Sequence, residues 1–85
     1  MAMTIWKFPL RVAEVQEIEA PEGAQIMHIR EHGIHAQPHA WIACDPDAPK
    51  RKIKIAMCGT GHNVPPGEYV GTAFEGGFVW HYFKQ

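Results

Sequence analysis

The sequence has little net charge and no long apolar run, and each shortage argues against a class of protein. Its 85 residues carry 8 lysines and arginines against 9 acidic residues, for a formal net charge of -1. Such a balance creates no global field that would recruit nucleic acid or an anionic membrane. No apolar run reaches the roughly 18 residues of a membrane helix, and the first residues do not resemble a signal peptide. We therefore expect a cytoplasmic protein that binds neither nucleic acid nor a membrane.

Cysteine is also scarce, with only Cys44 and Cys58 in the chain. Each lies in an apolar run, which favours buried thiols over a disulfide in a reducing compartment. Hydrophobic residues make up 46% of the chain, which is enough to form a core. A length of 85 residues is too short for two such cores. We predict a single β-rich domain over residues 1–85.

Short segments of alternating apolar and polar residues, separated by turn residues, run through the whole chain. They predict strands over residues 4–10, 15–20, 24–31, 40–44, 51–58, 68–74 and 78–83. A helix over Val12–Glu19 remains an alternative for the second segment. The predicted fold is all-β or β-rich α+β, a small antiparallel sandwich or partly open barrel of about six or seven strands.

Several residues position these strands. Pro9 cannot donate a ladder hydrogen bond and predicts an edge strand, whereas the unbroken run Ala40–Cys44 predicts a central strand covered on both faces. Gly76 and Gly77 predict a tight hairpin turn between the last two strands. The expected core residues are Trp6, Phe8, Ile42, Ile53, Ile55, Val70, Trp80 and Phe83.

A set of short motifs, in order over nearly the whole chain, carries a resemblance. They are Ile5-Trp6-Lys7-Phe8-Pro9-Leu10, Pro21-x-Gly-Ala24-x-Ile26, Trp41-Ile-Ala-x-Asp45, Gly59-Thr60-Gly61-His62, Gly71-Thr72 and Phe78-Val-Trp-His-x-Phe83. The chain thereby resembles a family of small bacteriophage and prophage proteins with no established activity. The resemblance implies a bacterial cytoplasm and an accessory role, and it names no reaction. The histidine-rich segment from His28 to His39 lies outside the shared pattern.

The run Gly59-Thr60-Gly61-His62 is the strongest candidate for a binding loop. Its glycines allow close approach of a ligand, while backbone amides and the Thr60 hydroxyl could hold a phosphate group. Lys54, on the preceding strand, could add positive charge. Because the spacing matches no phosphate-binding or dinucleotide motif, a plain strand-ending turn remains the alternative.

Four histidines, His28, His32, His35 and His39, recur every three or four residues, which on a helix would resemble a zinc ligand set. Gly33 and Pro38 interrupt the run, so we expect a polar turn. In a hairpin, His28 and His39 could still face each other across the strands. We predict no metal and no cofactor.

The chain also contains residue types used in nucleophilic catalysis. The candidates for nucleophile, base and orienting group are Cys58 or Thr60, His62 or His81, and Asp45 or Glu68. No local signature links them, so we predict no catalytic residues. The basic run Lys50–Lys54 and the aromatic end Trp80–Phe83 raise nucleic-acid binding, which the balanced charge argues against.

Two functions follow from these features. The first is a phage or prophage accessory protein that acts as a non-catalytic protein-interaction module and binds a host protein or a second copy of itself, as a homodimer. The alternative is a small-ligand binder that sequesters a phosphorylated metabolite or nucleotide signal at Gly59–His62.

Overall fold

Alternating side chains along seven strands build the fold. The computed structural model describes residues 2–85. The strands are β1 (Thr4–Pro9), β2 (Val15–Pro21), β3 (Gln25–His32), β4 (Gln37–Cys44), β5 (Lys50–Gly59), β6 (Glu68–Glu75) and β7 (Phe78–Lys84). Successive strand residues point to opposite faces, so the period of two in the sequence becomes one buried and one outer face.

The strands pair into two antiparallel sheets. One sheet has the order β1-β4-β3 and the other the order β2-β5-β7-β6. The predicted β-rich antiparallel fold of about six or seven strands is confirmed as an all-β fold of seven strands without a closed barrel, and Pro9 does lie in an edge strand. The helical alternative for residues 12–19 is wrong, since Val15–Pro21 is a strand paired with β5. No helix in residues 2–85 has the length and apolar character to cross a membrane.

The core lies between the inner faces of the two sheets. Its buried residues are Leu10, Ile18, Ala20, Ala24, Ile29, Ala40, Ile42, Cys44, Ile53, Ile55, Met57, Ala73 and Tyr82. Trp6, Phe8, Val70 and Trp80, predicted as core, pack against this cluster and are partly buried. Phe83 was predicted inside, but the register of β7 turns Tyr82 inward and Phe83 outward.

β4 differs from expectation in its coverage. It is the central strand of its sheet, as predicted, but only alternate residues such as Ala40 and Ile42 are fully buried. The residues between them, including Trp41, are half-buried on the outer face. The sandwich therefore covers this strand on one side only.

The two sheets approach each other closely where β6 passes β3. At Gly71, an added Cβ atom would lie 2.7 Å from the Cβ of Ile29. A side chain at position 71 would therefore force the strands apart, and glycine permits the contact. After the end of β6, Gly76 and Gly77, with φ of 62° and 82°, form the predicted hairpin turn to β7.

Candidate functional site

The Gly59–His62 loop is a tight turn at the end of β5. The His62 amide donates to the Gly59 carbonyl at 3.1 Å, and the Thr60 amide donates to the Val79 carbonyl at 3.3 Å. Both amides are therefore engaged within the protein. These two amides are therefore not available as donors to a phosphate at this loop.

Lys54 lies far from this loop. It precedes Gly59 by five residues on an extended strand, which corresponds to about 16 Å at the usual rise per residue. It faces Glu17 of β2 in the strand register. The structure therefore brings Gly59, Thr60, Gly61 and His62 together and leaves Lys54 in the middle of β5, away from the loop.

A hydrogen-bonded chain of side chains runs beside the loop and is centred on His81. Thr60 Oγ1 lies 2.8 Å from His81 Nε2, and Thr72 Oγ1 lies 3.0 Å from His81 Nδ1. Tyr69 Oη lies 2.6 Å from Thr72 Oγ1 and completes the chain. The strand register explains this arrangement, because His81 of β7 lies directly between Thr72 of β6 and Cys58 of β5.

The His81 chain has two possible directions of donation. A neutral imidazole has one N–H and one acceptor nitrogen, so one neighbouring threonine donates to the ring and the other accepts from it. If Thr72 donates to Nδ1, Nε2–H donates to Thr60, whose own hydroxyl hydrogen is free. If Thr60 donates to Nε2, the free hydrogen is at the Tyr69 hydroxyl. The chain can therefore present a donor at either end.

The His81 chain lines a shallow pocket of about 340 Å³. Its lining residues are Cys58, Gly59, Thr60, Gly61, His62, Val64, Tyr69, His81 and Phe83. The sequence alone did not predict Tyr69 and Thr72 as partners of His81. The alternation of the predicted β6–β7 hairpin was the signal that could have placed all three side chains on one face.

The candidate catalytic residues meet only in part. Thr60 and Cys58 lie next to His81, but its ring nitrogens bond to hydroxyls and to no carboxylate among the described residues. Asp45 accepts from the Asp47 amide in its own turn, and Glu68 lies opposite Lys84. Neither acid orients His81, so the three-part arrangement needed for an activated nucleophile is not assembled.

The two cysteines have different environments. Both are free thiols; Cys44 is fully buried, as predicted, whereas Cys58 is only half-buried. Met57 points inward, so its neighbour Cys58 must point outward, opposite His81. The expectation that Cys58 is a buried thiol is therefore wrong.

Apolar side chains surround the His81 chain on the outer face of β6 and β7. We call Tyr69, Phe74, Val79 and Phe83 the hairpin surface, because they form two cross-strand pairs on that face. Tyr69 and Phe74 are 56% and 57% exposed, and the Tyr69 and Phe83 rings lie 5.7 Å apart. The chain has no lysine or arginine between Lys54 and Lys84.

Three of the four clustered histidines gather around Trp41 on the other sheet. The ring centroids of His28, His32 and His39 lie 6.4, 5.5 and 6.1 Å from that of Trp41. His28 faces Trp41 and not His39, while His35 lies in the β3–β4 turn. Within residues 2–85, no group of three or more histidine, cysteine or acidic side chains is arranged to hold a metal ion.

Comparison with known proteins gives a family and no activity. No curated protein and no solved structure matches the chain. A family model described as a domain of unknown function, DUF7352, matches residues 1–85. The predicted phage origin is not part of that description and stays a prediction. Because the match spans the whole chain, this protein belongs to the DUF7352 family.

Proposed function

We propose that this protein is a non-catalytic protein-interaction module of a phage or prophage, which acts in the bacterial cytoplasm and binds its partner through the hairpin surface. The exposure of Tyr69 and Phe74, each more than half accessible on one sheet face, carries this proposal. Exposed aromatic side chains grouped in this way are typical of protein interfaces.

The charge around the hairpin surface supports the same function. Interface centres are depleted in charged residues and enriched in aromatic ones. Between Lys54 and Lys84 the acidic residues are Glu68 and Glu75, and lysine and arginine are absent. Glu75 is only half-exposed. A partner surface of apolar character would therefore meet little charge that has to be desolvated.

The partner that fits this surface most simply is a second copy of the chain. A two-fold homodimer places the same patch on both sides of the interface, so the apolar patches of the two subunits can pack against each other without complementary charges. The cross-strand pair Phe74 and Val79 would then lie near the two-fold axis. β3 of the other sheet packs closely against β6 at Gly71 and Ile29, so we expect faces and not edges to associate.

Sedimentation equilibrium over a wide concentration range tests this proposal. We expect the wild-type protein to form dimers and the double variant Phe74→Gln/Val79→Thr to remain monomeric. The matched control is Val12→Gln/Ile34→Gln, which replaces two apolar side chains outside the hairpin surface that are 53% and 95% exposed. Wild-type protein that stays monomeric at all concentrations would contradict the homodimer, as would equal dimer loss in the control.

The His81 chain favours a second function, the binding of a small polar ligand. Its free hydroxyl hydrogen, at Thr60 or Tyr69, faces a pocket of about 340 Å³. With the Thr60 and His62 amides engaged, hydroxyl and imidazole groups would supply the contacts to a phosphorylated metabolite. Calorimetric titration with nucleoside monophosphates tests this, and Thr60→Val should abolish any binding while Thr60→Ser preserves it.

A further inference from the structure

The outer face of the three-stranded sheet carries a cluster of rings around Trp41. The His32 and His39 centroids lie 5.3 Å apart in an edge-to-face arrangement, and His32 meets Trp41 in the same way at 5.5 Å. We call this group of Trp41, His28, His32 and His39 the imidazole face. His28 and His32 are exposed, while Trp41 and His39 are half-buried. Ring surfaces therefore remain accessible on this side of the sheet.

Two cations flank these rings. Lys7 of β1 lies directly opposite Trp41, and Arg30 of β3 lies directly opposite His39. Both are exposed. Lys7 is the largest of several causes that lower the pKa of His32, followed by desolvation, His39 and Arg30. Positive charge is therefore concentrated on this face.

Acidic residues are absent from the outward positions of this sheet, as far as residues 2–85 show. The outward positions are Ile5, Lys7, Pro9, Gln25, His28, Arg30, His32, Gln37, His39, Trp41 and Ala43. Glu31 of β3 lies on the opposite side, paired with the buried Pro38, and its charge acts on the buried Tyr82. The imidazole face is thus positive although the whole chain has a net charge of -1.

The acids are concentrated on the other sheet. Glu17 and Glu19 of β2 lie opposite Lys54 and Lys52 of β5, and Lys52 Nζ lies 3.9 Å from Glu17 Oε1. Lys52 and Lys54, two lysines of the basic run that first suggested nucleic acid, are therefore matched by carboxylates. Lys7 and Arg30 have no such partners on their face.

We propose that the imidazole face binds single-stranded nucleic acid, with Lys7 and Arg30 at phosphates and bases against Trp41 and the histidine rings. Proteins usually bind single-stranded nucleic acid with cationic side chains along its phosphate backbone and with rings on which its bases stack. An acidic peptide would match the charges but leave the rings unused. Three β-strands at about 4.8 Å spacing form a surface about 10 Å wide. This width suits a single nucleic-acid strand and not a duplex. This inference goes beyond the proposed protein interaction and uses the opposite side of the molecule.

Fluorescence anisotropy with labelled oligo(dT) and oligo(U) of about 12 nucleotides tests this proposal. Two phosphate contacts on a single strand should weaken binding about sevenfold between about 50 and 200 mM salt. Lys7→Gln/Arg30→Gln should remove most of that salt dependence together with most of the affinity. The matched control Lys52→Gln/Lys54→Gln removes the same charge from the other sheet and should bind like the wild type. A preference between the two oligonucleotides would tell RNA from DNA, and either supports the proposal.

The ring contribution is tested separately. Trp41→Ile should weaken binding about tenfold because one stacked base loses its platform, whereas Trp41→Phe should retain most of the affinity. Circular dichroism and thermal melting would confirm that each variant is folded. No binding of the folded wild type at low salt would overturn the proposal. So would equal losses in the two charge variants, tighter binding of a duplex, or equal binding of oligoglutamate.

Discussion

The two outer faces of this sandwich are built by the same alternation and differ in almost every other respect. On the outer face of β6 and β7, the exposed aromatic rings of the hairpin surface lie beside the hydroxyls and the single imidazole of the His81 chain. This stretch contains no lysine or arginine. The imidazole face combines three imidazoles and a tryptophan with Lys7 and Arg30, without acids. Net charge averages over both faces. It therefore says little about what either one can bind.

The comparison predicts opposite responses to salt. Apolar contacts at the hairpin surface should persist or strengthen as ionic strength rises, because they depend on buried area. Contacts between phosphates and the imidazole face should weaken, because released counterions drive them. A single series of salt concentrations therefore separates the two proposed activities without any substitution.

The largest effect should come from the junction that holds both faces in place. Gly71→Val would put a branched side chain where even a Cβ atom lies 2.7 Å from the Cβ of Ile29. Overpacking of this kind costs roughly 1–3 kcal/mol, and the Cβ atom of Ile29 cannot move without its strand, so we expect about 2 kcal/mol or more. Urea unfolding monitored by circular dichroism measures the loss, which should affect both faces together.

A second substitution checks the cause of that loss. Ile29→Gly removes the Cβ atom that a side chain at position 71 would strike, so the double variant should be less destabilised than the sum of the two single variants. Additive losses would show that the close approach of β3 and β6 is not the source. In that case the contact between β3 and β6 would not be what holds the two faces in place.

Local patterns could predict much of this fold, and pairings distant in sequence could not be predicted. Ile53 and Ile55 point inward as the alternation of β5 indicates, and the Gly76–Gly77 turn lies where it was expected. The run Trp80–Phe83 has aromatic residues at both parities, so its inward face was ambiguous. Which strand lies beside which has no local signal. The meeting of Lys7 with Trp41, and of Cys58 with His81, therefore required the structure.

Matched turn variants should affect one face at a time. Gly77→Ala, in the β6–β7 turn, and Gly33→Ala, in the β3–β4 turn, replace glycines with φ of 82° and 88° and no neighbour within 4 Å. Each should cost about 1 kcal/mol, because only the backbone conformation is penalised. Amide hydrogen exchange should show faster exchange near the hairpin surface for Gly77→Ala and near the imidazole face for Gly33→Ala. Identical exchange maps would mean that the two faces are not independent units.

A smaller effect is expected at Tyr82, which lies in the core between the faces. Its hydroxyl is buried without a hydrogen-bond partner, so Tyr82→Phe should change stability at pH 7 by less than about 1 kcal/mol. Burial, with the charges of Glu75 and Glu31, raises the pKa of Tyr82 from 10.0 to about 12. The unfolded chain therefore loses this proton first. Wild-type stability should fall as pH rises from about 10 to about 12, and Tyr82→Phe should show a smaller fall.

The smallest effect should come from the charged end of the four-stranded sheet. Lys52 and Glu17 form an ion pair at 3.9 Å with side chains that are 68% and 47% exposed. Solvent screens such a pair, so Lys52→Gln should change the free energy of unfolding by less than about 0.5 kcal/mol. Urea unfolding at low and high salt measures this directly. A larger, salt-sensitive loss would mean that the carboxylates of β2 depend on Lys52. In that case Lys52→Gln/Lys54→Gln would not be a neutral control, and the contrast between a neutralised sheet and a positive one would be weaker.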